Sequence, residues 1–223
     1  MDFTPLQQKI VDGFKQTRLV RDFYLSGGTL LAVRYLGHRN SYDLDFFANH
    51  SFTFPSVKKE VAKLATEAKL TVSEVRHIAD RWEWELGDGG EKTKFELVWY
   101  DFKPLERRVF WQGIMIDSLT DITANKMMAM MERHEPKDIF DLYYILKKTG
   151  WTVTRLLKLL KQKFGLPITA QTFYAEAERC LKRLEAVRGM LLTNDPEKQD
   201  KLFIDIHKYF DRQARRYLRG QLK

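Results

Sequence analysis

Asp43 and Asp45 are the residues of this chain whose type and spacing most clearly suit chemistry. They lie in a short strand pattern, residues 42–47, written Tyr-Asp-Leu-Asp-Phe-Phe. Side chains on a strand alternate with period two, so both carboxylates face the same side. Mg²⁺ takes hard oxygen ligands, usually one or two carboxylates together with substrate phosphates. An isolated D-x-D also occurs as a polar strand face or a turn cap. Here the aspartates alternate with apolar Leu44 and Phe46, and no turn former interrupts them. That favours a metal role for Asp43 and Asp45. Just upstream, the apolar run Phe23-Tyr24-Leu25 ends in Ser26-Gly27-Gly28, and a helical pattern runs from Thr29 to Leu36. Glycines let the backbone approach a phosphate, and the free amides at a helix start favour anions. Ser26, Gly27 and Gly28 are therefore candidate phosphate binders, and a tight turn is the plainer alternative.

Further candidates stand elsewhere along the chain. Glu96 lies in the strand pattern 92–100 between apolar Phe95 and Leu97. It suits a third carboxylate of the metal site or a general base on an attacking hydroxyl, and equally a solvent-facing strand residue. Lys126 and Asp141 sit on two helical segments flanking Pro136. There a lysine can neutralise phosphate charge and an acid can organise an acceptor, or both can be ordinary surface and helix-start residues. His38, Arg39 and Ser41 precede the D-x-D and suit contact with phosphate or positioning of the acidic strand. No Gly-Lys-Ser/Thr follows the glycine turn, which excludes a Walker loop, and the dinucleotide fingerprint is absent. His77, His134 and His207 are scattered, which argues against zinc.

The elements that must carry these residues follow from periodicity. A helical stripe covers residues 3–21, and Val57, Val61, Leu64 and Ala65 mark a helix over 55–69. Alternation predicts strands at 71–78, 81–86, 92–100 and 113–117, with Gly87-Asp88-Gly89-Gly90 as a hairpin turn. From residue 118 the pattern is helical. Ser118 or Thr120 caps a helix through Arg133, and further helices are expected from about 137 and over 152–164, 170–192 and 196–219. The expected fold is α+β, with a small mixed sheet and helices over residues 1–118 and a helical region over 119–223.

With 223 residues, 44% hydrophobic and 13% aromatic, the chain has material for a real core. No run of apolar residues is long enough for a membrane span, and the N-terminus lacks the layout of a signal peptide. The single Cys180 excludes an internal disulfide and fits a reducing compartment, so a cytoplasmic location and no membrane partner are expected. The net charge of +8 is unevenly placed. Residues 1–150 hold 22 basic and 22 acidic residues, whereas residues 151–223 hold 16 and 8. That asymmetry suggests a polyanion contact through 151–223, with Tyr209, Phe210 and Tyr217 interleaved among the arginines for base stacking. A solvated helix face is the simpler alternative.

Two segments resemble the AbiEii/AbiGii-type nucleotidyltransferases, a toxin-like branch of the polymerase-β-like superfamily. Residues 24–47, YLSGGTLLAVRYLGHRNSYDLDFF, are similar to the family's Gly-rich turn and D-x-D. Residues 122–146, ITANKMMAMMERHEPKDIFDLYYIL, are similar to its Lys helix and Asp-x-x-Asp helix. The resemblance implies a polymerase-β-like nucleotidyltransferase core and an NTP donor. It implies Mg²⁺ or Mn²⁺ at Asp43 and Asp45, and nucleotide handling by Ser26, Gly27, Lys126 and Asp141. It also implies an acceptor hydroxyl, with RNA and specifically tRNA expected, and an antitoxin partner. Glu96 departs from the Asp common at the superfamily's third carboxylate, and Asp138 is placed to share the work of Asp141. Residues 150–223 carry no alignable motif. Transfer to a protein or small molecule, and a silent nucleotide- or RNA-binding module, are the rival expectations.

Overall fold

The computed structural model describes residues 2–221, which divide into two compact units. Among these, the first comprises residues 2–37 and 41–122, the second residues 38–40 and 123–221.

In the first unit, helix α1 (Pro5–Phe14) starts on a reciprocal cap. Thr4 accepts from the Gln7 amide, the Gln7 side chain accepts from the Thr4 amide, and Pro5 fills the first turn, where no amide partner is needed. The helix stops earlier than its apolar stripe implies. The Thr17 hydroxyl and amide both close back on the Phe14 carbonyl, at 2.7 and 3.0 Å, and use up the acceptor that a further turn would need. The chain resumes in the short α2 (Leu19–Asp22) and then β1 (Tyr24–Leu25). Helix α3 (Gly27–Leu30) runs into a π-helical turn, Leu31–Leu36, which Gly37 ends in the left-handed conformation. Strand β2 (Leu44–Ala48) carries the D-x-D, and α4 (Phe54–Glu67) follows.

Strands β3 (Thr71–Ile78), β4 (Arg81–Asp88) and β5 (Glu91–Trp99) form a meander. The β4–β5 turn is only Gly89-Gly90, because both take positive φ and the pair makes a tight two-residue hairpin; Gly87 and Asp88 stay in the strand. Strands β6 (Val109–Trp111) and β7 (Ile114–Ile116) form a second hairpin, over Gln112-Gly113, again at positive φ. The sheet order is β3-β4-β5-β2-β1-β7-β6; β2 runs parallel to β5, β1 runs parallel to β7, and the other pairs are antiparallel. One face of the sheet is core. Leu44, Phe46, Trp84, Leu86, Phe95 and Leu97 are buried there, and Phe14 of α1 stacks on Phe46 at 4.0 Å. Burying a side chain of that size contributes about 2–3 kcal/mol. This apolar face fixes the register, since a one-residue slip would put every aspartate inside.

In the second unit, α5 (Leu119–Arg133, from Thr123 on) is followed by α6 (Pro136–Thr149), α7 (Val153–Phe164), α8 (Ala170–Leu181) and α9 (Pro196–Gln221). Glycines at positive φ, Gly150 and Gly165, end α6 and α7. The expected helix over 170–192 breaks after Leu181 into a 3₁₀ segment, Leu184–Met190, where three-residue bonds such as Ala186 to Arg183 replace the α ladder. Phe140, Ile145, Leu156, Leu160, Phe173, Ile206 and Phe210 fill the core of this unit.

Candidate active site

The D-x-D face of the sheet follows from strand geometry. Asp45 on β2 stands in register with Glu96 on the parallel β5, and Leu44 with Phe95. Asp43 and Asp45 therefore share a face with Lys94 and Glu96, opposite the apolar face. The antiparallel β4 extends the row, placing Glu83 beside Glu96. Asp43 is 40% exposed, whereas Glu96 is buried. Lys94 Nζ lies 2.5 Å from Glu96 Oε1 and 3.6 Å from Asp43 Oδ2, and Arg81 lies 2.9 Å from Glu83 and 3.8 Å from Glu96. Partial burial disfavours the Lys94 ammonium. The hydrogen bond that Lys94 donates to Glu96 and the charges of Glu96, Asp43 and Asp45 outweigh it and raise the amine pKa.

The glycine turn packs directly on this face. Gly27 has φ +71°, and a methyl group added there would sit 2.0 Å from Asp45 Oδ2. Only glycine permits that conformation and that approach. The Ser26 amide donates to the Asp45 carbonyl at 2.9 Å, and the Thr29 hydroxyl donates to the Asp43 carbonyl, so both aspartates are tied to the turn. Gly28 follows in the first turn of α3. The Ser26 side chain does not cap α3. Its hydroxyl donates to Asp117 Oδ2 at 2.9 Å, and Arg108 holds the other oxygen at 3.1 Å. Arg108 also donates to Asn49 Oδ1 and lies over the Tyr24 ring at 3.4 Å. Ser26 is thus a fully buried anchor of the turn. Ser41 is half-buried, and its carbonyl accepts from the Gln7 side chain at 2.9 Å.

Arg39, Lys126 and Asp141 meet in the second unit, in a buried ionic network. Arg39 binds both oxygens of Asp141, at 2.7 and 2.9 Å, and also donates to the Asn40 carbonyl. Lys126 Nζ bridges Asp138 at 2.9 Å and Asp141 at 2.8 Å. Arg133 makes two bonds to Asp138, and His38 Nε2 lies 2.7 Å from Asp141. Burial alone would raise the Asp141 carboxyl, but Arg39, Lys126 and the hydrogen bonds hold it well below the usual carboxylate range. Burial lowers the His38 pKa despite Asp141, so the ring is neutral with Nε2–H as donor to the carboxylate. Burial also opposes the Lys126 charge, and Asp138 and Asp141 prevail and raise its pKa. Arg133 and Asp138 complete the network. Arg133 stands seven residues after Lys126, two helical turns on, which puts both on one side of α5.

Over most of its length the chain is similar to known proteins. The family model "Nucleotidyl transferase AbiEii toxin, Type IV TA system" matches residues 10–217. The chain belongs to the AbiEii nucleotidyltransferase toxin family. It is therefore a nucleotidyltransferase of a toxin–antitoxin family, acting on a nucleoside triphosphate. The uncharacterized protein aq_aa25 of Aquifex aeolicus (strain VF5) is 34% identical over 167 residues, covering 71% of this chain and 74% of that protein. Two solved structures share the fold. JHP933 from Helicobacter pylori is 19% identical, with a TM-score of 0.57 over 97% of this chain and 95% of that one. A nucleotidyltransferase candidate from H. pylori is 16% identical, with a TM-score of 0.58 over 94% of both chains. The expected mixed α/β fold, with a mixed sheet and a helical C-terminal region, agrees with these neighbours.

As for a metal, among the described residues no three His, Cys, Asp or Glu side chains are grouped to hold an ion by themselves. The donor set nevertheless suits Mg²⁺ or Mn²⁺. Asp43 and Asp45 offer hard oxygens on one face, with the glycine turn alongside to receive the phosphates that would complete the coordination. Among the described residues no helix is long and apolar enough to cross a membrane. Phe210 is buried against Phe173 and Tyr143, which removes it as a base-stacking residue. Tyr209 packs edge-on to Tyr143, and Tyr217 lies 5.9 Å from Tyr174. Leu222 and Lys223, the last residues of the basic segment, lie outside the described residues.

Proposed function

We propose that this AbiEii-family enzyme transfers a nucleoside monophosphate from an NTP–Mg²⁺ (or NTP–Mn²⁺) complex to an acceptor hydroxyl of RNA, with tRNA as the expected acceptor. The observation that carries this is the seating of Gly27 on Asp45, so close that an added methyl group would lie 2.0 Å from Asp45 Oδ2, which sets a turn suited to phosphate beside one carboxylate of the D-x-D. Asp43 and Asp45 would hold the ion, which when bound would neutralise charge on the triphosphate and on the departing pyrophosphate. The Gly27 and Gly28 amides orient the β- and γ-phosphates. The acceptor oxygen forms a bond to the α-phosphorus as the bond to the β-phosphate oxygen breaks, and the hydroxyl proton passes to Glu96, in register with Asp45. Asp141 organises Arg39 and is not the base, because a carboxylate held so far below neutrality has little proton affinity. Lys126, Asp138 and Asp141 form the ionic network that fixes Arg39 within the second unit. The basic second unit supplies phosphate contacts for the acceptor.

The test is to incubate the protein with Mg²⁺, each α-labelled NTP in turn, total RNA and cell protein. Label in the RNA fraction supports the reading. Label confined to protein or small molecules names another acceptor class. No label with any NTP, in Mg²⁺ or Mn²⁺, would contradict nucleotidyl transfer by this face.

A further inference from the structure

Lys94 places a cation of the chain's own among the carboxylates of the acidic face. Its Nζ lies 2.5 Å from Glu96 and 3.6 Å from Asp43, the residue that begins the D-x-D. Without it, the carboxylates of Asp43, Asp45, Glu96 and Glu83 would crowd one face, with Glu96 directly opposite Glu83 on β4. Like charges so placed destabilise a sheet. Arg81 serves the Glu83 side of the row, and Lys94 serves the D-x-D side. The Lys94 side chain is 41% exposed, and its flexible four-carbon stem can swing into solvent. We propose that Lys94 is a resident counter-ion, which holds the cation position of the acidic face in the metal-free protein and is displaced when a divalent ion binds. This rests on the assignment of Asp43 and Asp45 to a divalent ion. Its consequence is that the chain tunes its own metal affinity, since each binding event must separate the ammonium from Glu96 and Asp43.

The experiment is a Mn²⁺ titration without nucleotide, followed by the electron paramagnetic resonance of the free ion, on the full chain and four variants. Lys94→Met and Lys94→Gln should bind Mn²⁺ more tightly by roughly tenfold to several hundredfold, the range that one unit charge at this distance spans between a water-like and a protein-surface dielectric. Lys94→Arg, which keeps the charge, should stay near the wild-type affinity. Asp45→Asn should lose the site. Lys94→Gln retains a polar side chain and guards against misfolding of the methionine variant, with circular dichroism as the check. Unchanged or weaker Mn²⁺ binding in both neutral variants, with Asp45→Asn still losing the site, would overturn the role of Lys94 alone. Equal binding by wild type and Asp45→Asn would overturn the metal assignment, and the Lys94 proposal with it.

Discussion

Replacing Gly27 with alanine separates backbone strain from the close approach that defines the site. Gly27 and Gly37 both take the left-handed conformation, at φ +71° and +62°. An alanine in that region costs roughly 1–2 kcal/mol at either position. The surroundings differ. A methyl group at Gly37 meets nothing within 4 Å, whereas at Gly27 it meets Asp45 Oδ2 at 2.0 Å, Cγ at 2.7 Å and Cβ at 2.9 Å. Relieving that overlap moves the turn or the carboxylate by more than about 1 Å, a misplacement that typically costs on the order of 100-fold in rate. Gly37→Ala should therefore lose stability with near-normal turnover per folded molecule. Gly27→Ala should lose similar or greater stability and on the order of 100-fold in rate. Urea unfolding gives the first quantity and initial rates of pyrophosphate release give the second, both at a temperature where the variants are folded. Equal rates for the two variants would refute the claim that the turn and Asp45 form one device.

Other outcomes follow from the same structure. Asp141→Asn leaves Arg39 and Lys126 with one buried carboxylate fewer and should cost about 3–5 kcal/mol at neutral pH. Because the folded-state pKa of Asp141 is depressed, its stabilisation is complete above the unfolded carboxylate value and fades as pH falls below it. The gap between wild type and variant in urea melts should narrow below about pH 4; a constant gap would contradict the network. Burial pushes the Cys180 thiol up to about 11, so it should resist alkylation in the native state. Its contribution to stability is present below the unfolded thiol value and is lost as pH rises towards 11, which alkaline denaturation of Cys180→Ser against wild type checks. RNA binding through the basic unit should weaken linearly in log salt, with three phosphate contacts giving a slope of about −2; a flat response would remove RNA as the acceptor.

The acidic face was legible in the sequence because period-two alternation places Asp43 with Asp45 and leaves Leu44 and Phe46 for the core. β3 matched its alternating residues end to end, at Thr71–Ile78. The partners across the sheet were not legible. Lys94 and Glu96 share a face by the same alternation, yet only the β2–β5 register shows that the face is that of Asp45. The ionic network shows a sharper limit. Lys126 and Asp141 stand out locally, and the spacing of Arg133 could have added it, but Arg39 lies 102 residues from Asp141. Phe210 shows the opposite error: an aromatic among arginines looks like a stacking platform until its helix is seen to bury it. The 3₁₀ break after Leu181 carries no proline or glycine signal at the point where it starts.

The account stands most directly on nucleotidyl transfer by the wild type beside Asp43→Asn and Asp45→Asn, measured as label from an α-labelled NTP entering RNA in the presence of Mg²⁺. Each substitution removes one charge from the exposed side of the sheet and leaves Leu44 and Phe46 in the core. The variants should keep the wild-type circular dichroism and lose transfer to background. Transfer by either variant at the wild-type rate would contradict the assignment of the acidic face.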